Sequence, residues 1–252
     1  LGVGIMDRKI VFISYYTDKY KKAAMRLRDS LDRFELEHDI VPLSKRTWVE
    51  AVRHKPIFIL EMLKKHEDAD AVVWIDADGD VVQKPQIFFE MEEDLGTRYY
   101  DWQRKDELLS GTMFVKNSPE MVKAMGVWIK TLAKASMNLK TPEQQVLHEL
   151  VGKTHRIGSD VGFSKKLKIS FRKLPEQYCR ILKDRGRRGV EPDSVIVHYQ
   201  FSKETRHDKT PAAHLSDPTK LMKGTRARGI KIEKAKSRRA PKDPAPKPKI
   251  DM

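Results

Sequence analysis

Cysteine is nearly absent from this chain of 252 residues, in which Cys179 is the only one. A single cysteine excludes an intramolecular disulfide, and with it the small secreted folds that disulfides hold together. Long apolar runs are missing too, because no stretch approaches the roughly 20 apolar residues that a membrane-spanning helix needs. Glycine and proline, at 13 residues each, are too few for a collagen-like or low-complexity chain. These absences predict a protein of the reducing cytoplasm without a transmembrane segment.

Positive charge is present in excess. The 50 Lys and Arg residues outnumber the 36 Asp and Glu residues and give a formal net charge of +14. Residues 220–252 hold 12 basic and three acidic side chains, a charge of +9, whereas the remaining 219 residues carry +5. We therefore expect one folded domain over residues 6–219 and a flexible Lys/Pro-rich tail over 220–252. Such a tail suggests a polyanionic partner such as nucleic acid, or an anionic membrane surface, with a solubilising disordered end as the alternative.

Hydrophobic periodicity in the first third of the chain predicts an α/β fold. Short apolar runs rich in β-branched residues predict strands, and apolar residues at helical spacing predict helices. In chain order these are a strand over 9–16, a helix over 20–34, a strand over 38–42, a helix over 55–63 and a strand over 71–75. Pro56 is interpreted as the start of the second helix. This alternation is typical of a doubly wound sheet, with the strand over 71–75, apolar on both faces, at its centre.

The rest of the chain departs from this regular alternation. It predicts a strand over 108–115, a helix over 120–135, a helix that begins at Thr141 and Pro142, and strands over 168–174 and 194–201. Threonine before proline is a strong helix start, because threonine favours the N-cap and proline the first helical position.

A pair of carboxylates, Asp76 and Asp78, follows the apolar strand over 71–75. In an extended backbone, residues two apart point the same way, so both carboxylates can reach one cation. Their hard oxygen atoms suit Mg²⁺ or Mn²⁺. Such an ion can bridge the two phosphates of a nucleotide diphosphate and neutralise the leaving group. The carboxyl ends of strands in an open α/β sheet are also where ligands bind.

Two other interpretations of this acidic segment compete with a catalytic metal site. The first is an Asp-Gly hairpin turn that joins strands over 72–75 and 81–83. The second is a calcium-binding loop with aspartates at loop positions 1, 3 and 5. In that register Val81 replaces the required glycine and Ile87 the bidentate glutamate, so the calcium loop is excluded. The hairpin turn remains open.

Several short segments occur along the chain in a recognisable order. They are Lys-Pro at 55–56, Val-Val-Trp-Ile-Asp-Ala-Asp at 72–78, Ser-Gly at 110–111, Glu-Gln at 143–144, Leu-Pro-x-x-Tyr at 174–178 and Val-Ile-Val-His-Tyr at 195–199. Over about residues 9–206 the chain resembles the GT-A glycosyltransferases, especially the glycogenin-like and related nucleotide-diphospho-sugar transferases. The resemblance implies a GT-A fold, which is a Rossmann-like mixed sheet flanked by helices. It also implies a UDP-sugar donor and Mn²⁺ or Mg²⁺ as the metal cofactor.

The resemblance also implies site residues. For the metal it implies Asp76 and Asp78, with the imidazole of His198 as third ligand; the alternative for His198 is a hydrogen-bonded core histidine. Ser14, Tyr15 and Tyr16 are expected to hold the base and ribose, and Gly111 lies on the sugar side. Arg53 and Lys55 are expected to point at the phosphate or at Asp76. Lys203 and Arg206 are expected to bind the diphosphate. The alternatives are core packing for the tyrosines, structural salt bridges for Arg53 and Lys55, and a solvated basic face for Lys203 and Arg206.

Glu143 and Gln144 are the candidate catalytic residues. A transferase that inverts the anomeric centre needs a carboxylate base near the acceptor hydroxyl, whereas one that retains it can use an amide or carbonyl to stabilise the reacting carbon. The alternative for Glu143 is structural, because acidic residues are favoured at a helix start by the helix dipole.

The acceptor is predicted from charge alone. A basic enzyme of the cytoplasm (the host cytoplasm, if a bacteriophage encodes it) fits the modification of hydroxymethylated pyrimidines in DNA, with the tail on phosphates. One alternative is a transferase for surface polysaccharide or lipopolysaccharide, with the tail on anionic lipid. Another is a nucleic-acid-binding protein with a degenerate transferase domain.

Overall fold

The computed structural model describes residues 8–44, 47–102, 105–136, 139, 141–152, 160–182 and 190–200. The strands are β1 (Ile10–Tyr16), β2 (His38–Pro42), β3 (Ala71–Ile75), β4 (Gly79–Val81), β5 (Leu95–Trp102), β6 (Lys105–Lys116), β7 (Val161–Ser164), β8 (Ile169–Lys173), β9 (Arg180–Ile181) and β10 (Ile196–His198). The helices are α1 (Lys21–Arg33), α2 (Trp48–Lys65), α3 (Ile87–Glu90), α4 (Pro119–Lys134) and α5 (Pro142–Val151). Within this described part, no helix has the length and apolar character needed to cross a membrane.

Seven strands form one mixed sheet in the order β2-β1-β3-β6-β5-β8-β7. The neighbours β1, β2 and β3 are parallel, whereas β6 is antiparallel to both β3 and β5. All five residues of β3 are buried, as their apolar character on both faces predicts. The α/β prediction is therefore confirmed, and the sheet is mixed because β6 and β7 run against their neighbours.

Apolar side chains cover both faces of the sheet and form two cores. Val11, Ile13 and Tyr15 of β1 join the core under α2, α4 and α5. Ile10 and Phe12 point to the other face and join the core under α1 and α3. This alternation along β1 shows why the strand needs apolar residues throughout: it lies in the interior of the sheet with helices on each side.

Helix α2 begins earlier than the sequence analysis predicted. Thr47 is its N-cap, and the side chains of Thr47 and Glu50 form a reciprocal capping box at the first turn. Pro56 lies inside the helix, so the interpretation of Pro56 as its start is wrong. The longer helix carries Lys55 in its middle, where that side chain is buried against the sheet.

A separate sheet of three strands, β4-β10-β9, lies next to the carboxyl end of β3. Strand β4 pairs antiparallel with β10, and Gly79 lies opposite His198. Strand β4 pairs with β10, whereas β3 pairs with β1 and β6. Because β3 and β4 do not pair with each other, the segment that joins them is not the hairpin turn that the sequence left open.

Strand β6 contains an irregularity that matters for the site. Along β5, Thr97 pairs with Met113, but the next residue, Arg98, pairs with Leu109. Residues 110–112 of β6 therefore have no register partner in β5. A bulge of this kind redirects side chains and often occurs beside active sites.

Candidate active site

Three candidate metal ligands meet at the carboxyl end of β3. One oxygen each of Asp76 and Asp78 and one imidazole nitrogen of His198 lie within 4.8 Å of one another. Asp76 is held against β6 because its backbone N–H donates to the carbonyl of Gly111 at 2.8 Å. The structure thus brings together the three residues that the sequence analysis proposed as one cluster.

Pairing of β10 with β4 places His198 next to the two aspartates. Beyond the β4–β10 ladder, the backbone N–H of Tyr199 donates to the carbonyl of Asp78 at 3.2 Å. Gly79 permits the tight turn between β3 and β4, because a Cβ there would lie 2.4 Å from Cγ2 of Ile75. The turn and the ladder together set the spacing between the carboxylates and the imidazole.

The carboxylate of Asp76 is oriented by two donors on the same oxygen. Nζ of Lys55 lies 2.9 Å from Oδ1, and Nε1 of Trp74 donates to Oδ1 at 2.9 Å. The other oxygen, Oδ2, faces Gly111, where it would lie 3.6 Å from an added Cβ. Asp76 therefore presents a fixed oxygen toward His198.

Gly111 lies between the side chains of Asp76 and His198. An added Cβ would lie 3.3 Å from Cε1 and 3.5 Å from Nδ1 of His198, in addition to its approach to Asp76. A side chain at position 111 would fill the space between the candidate ligands, so the absence of one leaves room for an ion.

Lys55 forms a buried network behind Asp76. Its Nζ lies 3.5 Å from Oε1 of Glu143 and donates to the carbonyl and the hydroxyl of Ser110, each at 3.2 Å. Burial by itself would lower the pKa of Lys55, but the carboxylates of Asp76 and Glu143 outweigh it and raise that pKa. Burial raises the pKa of Glu143, an effect that Asp76 increases and Lys55 opposes. The network holds one lysine charge between two carboxyl groups.

His198 is buried and contacts protein groups on both sides of its ring. Nε2 lies 2.8 Å from Oγ1 of Thr112, and Nδ1 lies 3.5 Å from Oδ1 of Asp78. Burial by itself would lower the pKa of the imidazole, but negative charge on the sulfur of Cys179 and the carboxylate of Asp78 raise it to about 10. A cation bound to this imidazole would therefore compete with a proton.

Gln144 lies at the edge of the network. Its Oε1 accepts from the backbone N–H of Ser110 at 3.1 Å, and its Nε2 donates to Oε1 of Glu107 at 2.8 Å. Glu143, its neighbour, is only 4% exposed. The two candidate catalytic residues thus differ in position: Glu143 is enclosed, whereas Gln144 is partly exposed.

The side chains at the end of β1 are divided between the interior and the surface. Ser14 is fully buried and donates to the carbonyl of Ile75 at 2.7 Å. Tyr15 packs against Phe58 and Trp74, and its hydroxyl donates to the carbonyl of Ala51 at 2.6 Å. These contacts match the core-packing alternative for Tyr15. Tyr16 is half-buried. Of the three side chains predicted to hold the base and ribose, it alone keeps a solvent-facing surface.

Arg53 does not point at the carboxylate cluster. Its guanidinium donates to the carbonyls of Leu132 and Ala135 at the end of α4, at 2.7 and 3.0 Å. This contact matches a structural role for Arg53, because the carbonyls at a helix C-terminus attract a cation. A contact of Arg53 with the diphosphate or with Asp76 stays a prediction.

We expect Arg53→Met to lower the free energy of unfolding by about 1–2 kcal/mol, through loss of charged hydrogen bonds to these carbonyls, while leaving UDP affinity unchanged. Urea denaturation and calorimetric titration with UDP measure the two effects. A tenfold loss of UDP affinity in a variant of normal stability would support the phosphate-binding role instead.

Lys203 and Arg206, the other predicted phosphate ligands, lie outside the described residues, as does the tail over 220–252. Their roles stay predictions.

Several residues support the site although they were not predicted as site residues. These are Trp74, Ser110, Thr112 and Cys179. A second missed group lies under Asp78: Arg26 stacks 3.8 Å from the ring centroid of Tyr199 and donates to the carbonyl of Asp78 at 3.4 Å. Only the contact of Trp74 with Asp76 lies within one segment. The others join segments that are distant along the chain, so no local spacing signals them.

Comparison with known proteins gives the family. Residues 44–210 match the family described as nucleotide-diphospho-sugar transferase. The match covers more than half of the chain and includes the whole carboxylate and imidazole cluster. No curated protein matches this sequence.

Solved structures share the fold at low sequence identity. A glycosyltransferase involved in glycosylation of the major capsid of PBCV-1 is 15% identical, with a TM-score of 0.57 over 85% of this chain and 99% of that one. The glycosyltransferase GlyE of Streptococcus pneumoniae TIGR4 is 17% identical, with a TM-score of 0.54 over 90% of this chain and 66% of that one. The GT-A fold prediction is confirmed, and the chain belongs to the nucleotide-diphospho-sugar transferase family as a glycosyltransferase that uses a nucleotide-sugar donor.

Proposed function

We propose that the chain is a divalent-metal-dependent glycosyltransferase that moves a sugar from a UDP-sugar to an acceptor hydroxyl. The supporting observation is the approach of Asp76, Asp78 and His198 within 4.8 Å, with the bare backbone of Gly111 between them. Two carboxylate oxygens and one imidazole nitrogen fit a divalent cation. The nitrogen favours Mn²⁺ over Mg²⁺, because Mg²⁺ prefers oxygen ligands and retains several waters.

A cation held by Asp76, Asp78 and His198 would supply Lewis-acid chemistry, because it would neutralise negative charge on a departing diphosphate. The residues of the chain keep the ligands ready for it. Lys55 and Trp74 both donate to one oxygen of Asp76, so rotation of that carboxylate would break two hydrogen bonds of about 1–3 kcal/mol each. UDP as the nucleotide rests on the family resemblance.

At the reacting carbon we assign the main role to Gln144. Its amide is partly exposed and anchored by Ser110 and Glu107, so it can face a sugar without reorganising. Glu143 is enclosed beside Lys55, and a base would have to reach an acceptor hydroxyl. We assign Glu143 to holding Lys55.

The test is UDP release from a mixture of UDP-sugars with Mn²⁺. We expect Asp78→Ala to reduce UDP release at least about 100-fold, because removing a group that stabilises developing charge typically costs 10²–10³ in rate, and chelation with EDTA to stop the wild type. Asp29→Ala is the matched control, since that aspartate is exposed on α1 beside Arg28 and should behave as wild type. Equal turnover in Asp78→Ala and wild type would refute the metal mechanism.

The predicted acceptor, a hydroxymethylated pyrimidine in DNA, is supported only by the charge of +9 on residues 220–252. A different observation favours a glycan acceptor. An opening of about 460 Å³ beside Gln144 is lined by Glu107, Gln145, His148 and Glu149. Two carboxylates in this lining repel phosphate but accept hydrogen bonds from sugar hydroxyls. A cytoplasmic location stays a prediction from the single cysteine.

Mass spectrometry of the products distinguishes the two acceptors. The full chain is incubated with UDP-sugars, Mn²⁺ and either hydroxymethylcytosine DNA, unmodified DNA or a panel of oligosaccharides. A gain of one hexose on the modified base alone would establish the DNA acceptor, whereas transfer to an oligosaccharide and to neither DNA would establish the glycan acceptor.

A further inference from the structure

The two ring nitrogens of His198 face different groups. Nδ1 faces the carboxylate side: it lies 3.5 Å from Oδ1 of Asp78 and 3.5 Å from the position of an added Cβ on Gly111. Nε2 faces Thr112, whose Oγ1 is 2.8 Å away. His198 is 5% exposed and Thr112 is 0% exposed, so water does not compete for the hydrogen bond between them.

The position of Nδ1 determines what Nε2 must do. An imidazole nitrogen that binds a cation carries no proton, so the proton of the neutral ring must then be on Nε2. Nε2–H needs an acceptor, because a buried donor without one is unfavourable by about 1–3 kcal/mol. The hydroxyl oxygen of Thr112 is that acceptor in this geometry.

Cys179 is buried beside both Thr112 and His198. A threonine hydroxyl can rotate its hydrogen away from His198 and toward this sulfur, which leaves Oγ1 as an acceptor for Nε2–H. The order of donation is then Nε2–H of His198 to Thr112, and Thr112 to Cys179.

The bulge in β6 explains why Thr112 reaches this position. Residues 110–112 lack partners in β5, while Thr112 remains paired with Ile75 of β3. The same irregular segment therefore supplies the space at Gly111 and the hydroxyl at Thr112.

We propose that Thr112 is a positioning residue for the metal site: it fixes His198 with its proton on Nε2 and leaves Nδ1 free to bind the divalent cation. This inference rests on the proposed function, since it requires His198 to be a metal ligand. Partners that hydrogen-bond the non-coordinating nitrogen of a ligand histidine orient the ring and set its tautomer, and their removal typically weakens metal binding 10–100-fold.

The test compares Thr112→Val, which keeps the side-chain shape but has no hydroxyl, with Thr112→Ser, which keeps the hydroxyl. Mn²⁺ is titrated into the full chain in the presence of UDP, and free Mn²⁺ is followed by electron paramagnetic resonance. We expect Thr112→Val to bind Mn²⁺ about 10–100-fold more weakly and Thr112→Ser to stay within about threefold of wild type. Thermal denaturation verifies that both variants are folded. Wild-type affinity in folded Thr112→Val would overturn the proposal.

A measurement on the wild type keeps the proposal testable if Thr112→Val does not fold. In a crystal structure with Mn²⁺ and UDP, we expect Nδ1 of His198 at coordination distance and Nε2 on Thr112; coordination through Nε2 would overturn the role of Thr112. Asp78→Ala separates the two levels of inference. If Asp78→Ala binds Mn²⁺ as well as wild type does, or if wild type does not bind it, the proposed function fails, and the role of Thr112 fails with it.

Discussion

Gly111→Ala is expected to reduce Mn²⁺-dependent UDP release at least about 100-fold without unfolding the protein. The added methyl group would lie between His198, at 3.3–3.5 Å, and Oδ2 of Asp76, at 3.6 Å. The distances of 3.5 and 3.6 Å are ordinary van der Waals contacts, whereas the 3.3 Å approach to Cε1 requires the imidazole of His198 to shift by a few tenths of an ångström. A cation about 2.0–2.2 Å from its ligands cannot share that space with it. The effect should therefore appear in metal binding, with little change in thermal stability.

Gly126→Ala is the matched control for this substitution. Gly126 lies within α4, and a Cβ there meets nothing within 4 Å among the described residues. Alanine is favoured over glycine in a helix by about 0.5–1 kcal/mol, so this variant should be slightly more stable and fully active. The interpretation of Gly111 would be wrong if Gly111→Ala retained Mn²⁺-dependent turnover within threefold of wild type.

Lys55→Met is expected to give the largest loss of stability. Lys55 is buried between Asp76 and Glu143, and removal of one partner of a buried ion pair typically destabilises by about 3–5 kcal/mol, because the other charge stays buried without compensation. Urea denaturation at pH 7 measures this loss. Lys64→Met, in the same helix but exposed, is the control and should change stability by less than about 0.5 kcal/mol.

The loss caused by Lys55→Met should depend on pH through Glu143. Burial already raises the pKa of this carboxyl, and Lys55 is the group that opposes the rise. Without Lys55 the folded-state pKa rises further above the unfolded value of about 4.3. A raised carboxyl pKa in the folded state means that stability falls as pH increases above the unfolded value. The loss in free energy of unfolding of Lys55→Met, relative to wild type, should therefore grow from pH 4 to pH 7. The double variant Lys55→Met/Glu143→Gln should show much less of this pH dependence.

Elements with strong local patterns were predicted closely. The structure has β2 and β3 at their predicted residues, and β1 differs by one residue, because strand periodicity depends on neighbours in the sequence. The start of α2 was wrong although its signal was present: Thr47 and Glu50 have the spacing of a capping box. Pro56 pointed to a later start, because proline is favoured at the first helical position.

Strand β5 was not predicted, because it buries polar residues in its middle. Thr97 and Arg98 are buried at 0% and 4% exposure. The guanidinium of Arg98 donates to the carbonyl of Cys179 and lies 3.4 Å from a carboxylate oxygen of Glu176. A buried arginine is tolerated only with such partners, and partners distant in sequence give no periodic signal.

The sequence by itself determined the family and the location of the aspartates. An apolar strand followed by Asp76 and Asp78 is a pattern within one short segment. The spacing of residues along a strand does not depend on the rest of the fold, so this pattern can be read from the sequence. The order of the later motifs added the GT-A resemblance for the same reason.

Tertiary structure decided which side chains join those aspartates and which do not. Pairing of β4 with β10 brings His198 to them, α2 brings Lys55, and the bulge in β6 brings Gly111. Packing also turned Arg53 toward α4 and Tyr15 into the core, although both had been predicted to contact the donor. These outcomes depend on backbone segments that meet only in the folded chain, so spacing along the sequence does not contain them.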